Sequence, residues 1–142
     1  MKKVGLFLIL LSVSVQCFTQ NTKISTTDSV LRKIQYMPKL SIMSVLSEKE
    51  KYDGKWVKIS GYLKITKNFF GGLYFSKEFA DIFSYDNAIY FEMPYTHTLV
   101  EDLRRKNNNY VTIIGIINFK RHGIEGEFIA EFDQIHSVGP VW

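Results

Sequence analysis

The residues able to do chemistry in this chain are three histidines, a group of carboxylates, and a set of tyrosines and lysines. His97, His122 and His136 lie far apart, and no pair has the His-x-x-x-His or Cys-x-x-Cys spacing that sets two ligands on one metal. Asp133 and His136 stand three apart, a spacing too common to mark a site. No metal site is expected. A Gly-x-Ser-x-Gly elbow is missing, and Gly71-Gly72 has neither the lysine nor the spacing of a phosphate-cradling loop. Glu125, Glu127, Glu131 and Asp133 gather near the C-terminus, where paired carboxylates could act as acid and base. Their alternation with Phe128, Ala130 and Phe132 reads instead as the solvent side of an edge strand. The expectation is therefore no catalytic residue, no cofactor and no enzymatic activity.

A period of two carries more information. In Lys55 to Thr66 one face is Val57, Ile59, Gly61, Leu63 and Ile65, and the other is Trp56, Lys58, Ser60, Tyr62 and Lys64. This is a long half-buried strand, and Gly61 allows a bend or bulge within it. The same alternation turns Tyr74 and Tyr90 outward from two further strands, Leu73–Ser76 and Ala88–Met93. Lys58, Tyr62, Lys64, Tyr74 and Tyr90 are thus the candidate ligand-binding residues. Aromatic rings stack on bases or sugars, and lysines meet anionic groups. A second reading covers the tyrosines with a helix at Ile42–Glu48 and with residues 77–87, as cross-strand packing. For Trp56, at a strand start beside that helix, packing is the expectation.

The remaining elements follow from local signals. Ser41 caps Ile42 to Glu48, whose Ile42, Val45 and Leu46 form one apolar stripe. Asp53-Gly54 is a turn, Asn68 to Gly72 another, and Lys77 to Asn87 reads as irregular. Pro94 stops the third strand, and Thr96 caps a helix through Leu99, Val100 and Leu103 that ends at Arg104-Arg105-Lys106. A fourth strand runs from Tyr110 to Phe119, with Gly115 inside it. Lys120 to Gly126 is a turn, and Glu127 to Phe132, continuing to Ile135, is a fifth strand.

The chain has 142 residues, 46% hydrophobic and 23% charged, which suits one globular domain. Aromatics at 15% favour strands, and a single Cys excludes a disulfide scaffold. Met1-Lys2-Lys3, an uncharged apolar run from Val4 to Val15 and a polar exit have the form of a secretory signal peptide over residues 1–19. Export to the periplasm or the extracellular space is expected, with a lipoprotein anchored through Cys17 as the alternative. Residues 20–37 read as a polar linker with one marginal helical turn, and 38–142 as the folded domain. The formal charge is +4, from 18 basic and 14 acidic residues. Removing residues 1–19 takes away Lys2 and Lys3 and no acid, leaving 16 against 14, or +2. That balance gives no general polyanion-binding surface, so nucleic acid is disfavoured.

Five strands with one helix between the third and fourth, and glycine in the long first and fourth strands, resemble the OB-fold, a five-stranded Greek-key barrel. Tyr52-Asp53-Gly54-Lys55-Trp56-Val57-Lys58-Ile59-Ser60-Gly61-Tyr62 is similar to the opening of small exported bacterial proteins of unassigned activity. Leu73 to Glu78 and the His122-Gly123 turn are similar to theirs as well. The resemblance implies an all-β fold with one or two short helices and an exported protein, and no reaction. On this reading the chain is a non-enzymatic binding module of the envelope, with a protein or glycan held on the outer face of the barrel. The alternative is an accessory domain that pairs its strand edge with another envelope protein. Oligomeric state is not encoded in any of these signals.

Overall fold

Alternating apolar residues over ten positions make a strand long enough to serve neighbours on both edges. The computed structural model describes residues 26–66 and 70–141. In it β2 (Trp56–Ile65) pairs antiparallel with β5 (Asn109–Asn118) on one edge, and its far end pairs with β3 (Phe70–Tyr74) on the other. Next, β4 (Ala88–Glu92) runs antiparallel to β3. The last strand, β6 (Ala130–Pro140), joins β4 in parallel and β5 antiparallel. The order β2-β3-β4-β6-β5 returns to β2, so five strands close a mixed barrel. With α5 (His97–Arg105) between β4 and β5, this arrangement is compatible with an OB-like fold.

The interior follows the alternation. Val57, Ile59 and Leu63 meet Leu73, Phe91, Ile113 and Ile117 in the barrel core. Helix α2 (Ile42–Ser47) adds Ile42 and Val45 to that core, and α5 adds Leu103. Ser41 does cap α2: its Oγ accepts the Ser44 backbone N–H at 3.0 Å. Gly61 serves close approach and not a bulge, since a Cβ there would stand 2.7 Å from the Tyr74 carbonyl oxygen. The register breaks fall in the β5–β6 ladder, at Ile114/Gly115 and Ile116/Ile117.

Several expectations need correction. Where a linker with one helical turn was expected, α1 (Thr26–Gln35) is a ten-residue helix that ends in basic Arg32 and Lys33 and buries Ile34. A sixth strand, β1 (Lys39–Ser41), lies parallel to β2. Three residues beside a proline are too few to show a period. Between α2 and the Asp53-Gly54 turn comes one more turn of helix, α3 (Lys49–Tyr52), and Gly54 takes a φ of 69°. The second strand begins at Phe70 and ends at Tyr74, since Gly71 and Gly72 pair in the ladder instead of turning. Thr96 occupies the N-cap of α5 without a side-chain cap bond. Residues 77–87 contain α4 (Lys77–Asp81) and a 3-10 turn at Tyr85–Asn87. The fifth strand is no edge strand: Ala130 and Glu131 pair with Ile89 and Tyr90 on one side, and β5 lies on the other. None of the helices among the described residues is long and apolar enough to cross a membrane. The expected signal peptide and Cys17 lie outside the described residues.

Candidate functional site

The outward tyrosines of β2, β3 and β4 do form one surface, but the chain covers it with its own aromatics. Tyr62, Tyr74 and Tyr90 are 5%, 1% and 3% exposed, packed with Ala80, Ala88 and Phe128. Phe128 comes from the β5–β6 loop, and its ring centroid lies 5.1 Å from that of Tyr90 and 4.7 Å from that of Tyr85. Of the two readings of these tyrosines, the structure has the packed one. The Tyr62 hydroxyl donates to the Asn108 carbonyl at 2.9 Å, and burial pushes the Tyr74 hydroxyl up from its usual pKa.

The two candidate lysines are held apart. Lys64 reaches over to α4, with its Nζ 3.8 Å from Asp81 and 5.3 Å from the centre of the Phe83 ring. This contact, the Lys77–Asp81 ion pair and a bond from the Lys77 backbone N–H to the Tyr110 hydroxyl hold α4 over the tyrosines. Lys58 stands on another wall of the barrel, between β1 and β5, opposite Lys39 and Ile114. Trp56 is half-buried, its ring edge-on to His136 at 5.8 Å.

The flank of the covered surface remains open. A hollow of about 530 Å³ is bordered by Phe70, Tyr90, Glu92, Val100, Arg104 and Ile124. β3 and β4 supply Phe70, Tyr90 and Glu92, α5 presents Val100 and Arg104 from successive turns, and the β5–β6 loop contributes Ile124. Phe70 stacks tilted on Tyr90 at 5.6 Å, so one ring of the aromatic cluster reaches the hollow's wall. Arg104 and Glu92 form no ion pair among the described residues. Their neighbours Arg105 and Lys106 are engaged by Asp102. A guanidinium, a carboxylate and an aromatic ring around an open hollow can hold a small polar ligand by charge-assisted hydrogen bonds and ring contact.

The carboxylate group near the C-terminus has a structural task. Arg121 Nη2 lies 2.8 Å from buried Glu131, and its Nη1 lies 3.3 Å from Asp133. Asn118 Nδ2 donates to Asp133 at 3.0 Å. The pair ties the β5–β6 loop to the strand that follows. Burial raises the Glu131 pKa, with Arg121 and the Gly123 backbone opposing. Glu131 therefore does not sit on a solvent side, as the alternation suggested, while Glu125 and Glu127 are exposed. No group of three or more His, Cys, Asp or Glu among the described residues is placed to hold a metal ion.

Sequence reasoning found Tyr90 and missed the residues around it. Phe70 lay in an expected turn, and Arg104 read as an ordinary basic helix end. The available signal was three consecutive basic residues, Arg104-Arg105-Lys106, against only two nearby acids within the helix, Glu101 and Asp102. No family model matches the chain, and no curated protein matches it.

Proposed function

We propose that this chain is an exported, non-enzymatic binding module that holds a protein or glycan ligand on the outer face of its OB-like barrel. The observation that carries the reading is the open hollow where Arg104 and Glu92, neither in an ion pair among the described residues, flank Phe70 beside the β5–β6 loop. OB-folds bind on the corresponding strands and between the same loops. The tyrosine cluster behind the hollow acts as a rigid backing, and contact with ligand passes to Phe70, Glu92 and Arg104. A glycan fits this lining best: a ring for a sugar face, and two charged groups for its hydroxyls. Glu92, in the lining of the hollow itself, sets a carboxylate against a phosphate backbone, which argues against nucleic acid.

An oligosaccharide array probed with the full chain tests this. Binding that falls about tenfold with both Arg104→Ala and Phe70→Ala supports it, a loss equivalent to roughly 1.4 kcal/mol. Should no oligosaccharide bind, a protein captured from envelope extract by wild type and lost with Arg104→Ala supports the protein form. Ligand retained equally by both variants overturns the site.

A further inference from the structure

The turn that leaves α4 breaks a rule of helix ends. The Ser84 backbone N–H donates to the Phe79 carbonyl at 2.9 Å and the Phe83 N–H to the Ala80 carbonyl at 3.2 Å, the paired bonds of a Schellman end. Such an end puts one residue in the left-handed region, where glycine is the usual choice. Here that residue is Phe83, with a φ of 52°. A bulky side chain held there costs stability, and burial returns little of it: Phe83 is 43% exposed and the preceding Ile82 is 74% exposed. A local rule broken without a gain to the fold most often marks a functional position.

A hollow of about 400 Å³ opens at the same turn, lined by Phe83, Ser84, Tyr85, Asp86 and Glu127. The Phe83 and Tyr85 rings stand 6.4 Å apart, tilted by 57°. Phe128 packs on Tyr85 at 4.7 Å and steadies that ring. Asp86 is oriented by its own neighbours: Ser84 Oγ donates to its Oδ1 at 2.7 Å, and Asn87 Nδ2 donates to the same atom at 3.2 Å. Neither Asp86 nor Glu127 forms an ion pair among the described residues. The nearby cation Lys64, 5.3 Å from the centre of the Phe83 ring, has Asp81 at 3.8 Å to balance it. The lining therefore carries two carboxylates and no cation, on a chain whose formal charge is +4.

We infer that this turn docks an arginine-bearing segment of a partner protein, with the guanidinium against the Phe83 and Tyr85 rings and the Asp86 and Glu127 carboxylates. Charge complementarity selects a cation as the occupant. Ring faces attract cations, and a flat guanidinium can stack on a ring and fork onto a carboxylate, which an ammonium does not. Exposed Ile82 beside the hollow selects a peptide with apolar side chains over a free small cation. The two carboxylates oppose an anionic lipid surface. No residue that lines this hollow also lines the one beside Tyr90, so the site does not depend on that one.

The test uses a nine-residue probe peptide with two arginines and two leucines in a Gly-Ser background, and a citrulline-for-arginine version as control. Each is titrated into the full chain and followed by backbone amide NMR. Shifts centred on residues 82–86 and 127 are expected, with binding weakened about tenfold by Phe83→Gly, which suits the left-handed φ, and by Glu127→Gln. Arg104→Ala, on the other hollow, should leave the peptide's affinity unchanged. Phe83→Leu, checked for an unchanged melting temperature, removes the ring alone and keeps the test valid if loss of the whole side chain disturbs the turn. Equal affinity for the citrulline peptide, shifts centred on Phe70 and Ile124, or no binding would each overturn the inference. So would affinity unchanged in both Phe83 variants, or capture by phosphatidylglycerol vesicles through residues 82–86 in place of the peptide.

Discussion

A Cβ added to Gly123 would stand 2.5 Å from the Cγ of Tyr90, with a φ of 67° at the glycine. The β5–β6 loop therefore lies directly on the ring that lines the candidate hollow. This contact, with Phe128 inserted beside it, closes the outer aromatic surface from above.

Gly123→Ala combines a side chain in the left-handed region with a collision against a packed ring, so nothing can yield cheaply. It should cost about 2–3 kcal/mol of stability. Gly126 also has a positive φ, of 75°, but open space around it. Gly126→Ala should cost only about 1 kcal/mol. Urea unfolding of both variants checks the difference; equal costs would mean the loop does not rest on Tyr90.

Tyr74 and Tyr62 should behave as core residues. Tyr74→Ala is expected to lose about 3–5 kcal/mol by leaving a cavity in the aromatic cluster. Tyr62→Phe removes only the bond to the Asn108 carbonyl and should lose about 1 kcal/mol. Thermal or urea melts decide this; losses near zero for both would place these rings at the surface.

Two carboxylates, half-buried Asp53 and buried Glu131, should give opposite pH dependences. Asp53 accepts the Phe119 backbone N–H at 2.9 Å, and that bond, aided by Lys120, holds its carboxyl below the usual range. Its contribution is present above the unfolded value near 3.8 and is lost as pH falls through the folded value, so Asp53→Asn should flatten the acid limb of the stability curve. Glu131 is raised above its unfolded value near 4.5. Its neutral form is the better tolerated, so stability linked to it is present below that value and falls as pH rises through the folded one. Relative to wild type, Glu131→Gln should gain stability between acid and neutral pH. Denaturant midpoints across pH 3–8 read both effects; parallel curves for wild type and Glu131→Gln would contradict the second.

The barrel was legible in the sequence because its long strands alternate without interruption. Val57, Ile59 and Leu63 are buried as the period of two requires, and β4, α5 and β5 fall within a residue of their expected bounds. Orientation was legible too: Tyr62, Tyr74 and Tyr90 do point away from the barrel axis. What alternation cannot report is whether a surface is then covered. That depended on Phe128 and α4, which arrive from segments separated in sequence and lacking any period. The edge assignment of the last strand failed for a related reason. Its parallel pairing with β4 is only two residue pairs long, Ile89 with Ala130 and Tyr90 with Glu131, and leaves no local mark. The hollow beside Tyr90 draws on four segments, so Arg104 and Phe70 meet only once the barrel has closed.

Hydroxyl-radical labelling of the free chain, read tyrosine by tyrosine, tests the central claim that the outer aromatic surface is sealed by the chain itself. Tyr95 and Tyr36 are fully or largely exposed and should label fast, while Tyr74 and Tyr90 should be protected by at least about tenfold. Labelling of Tyr74 or Tyr90 at the rate of Tyr95 would show an open tyrosine surface and would return the binding site to it.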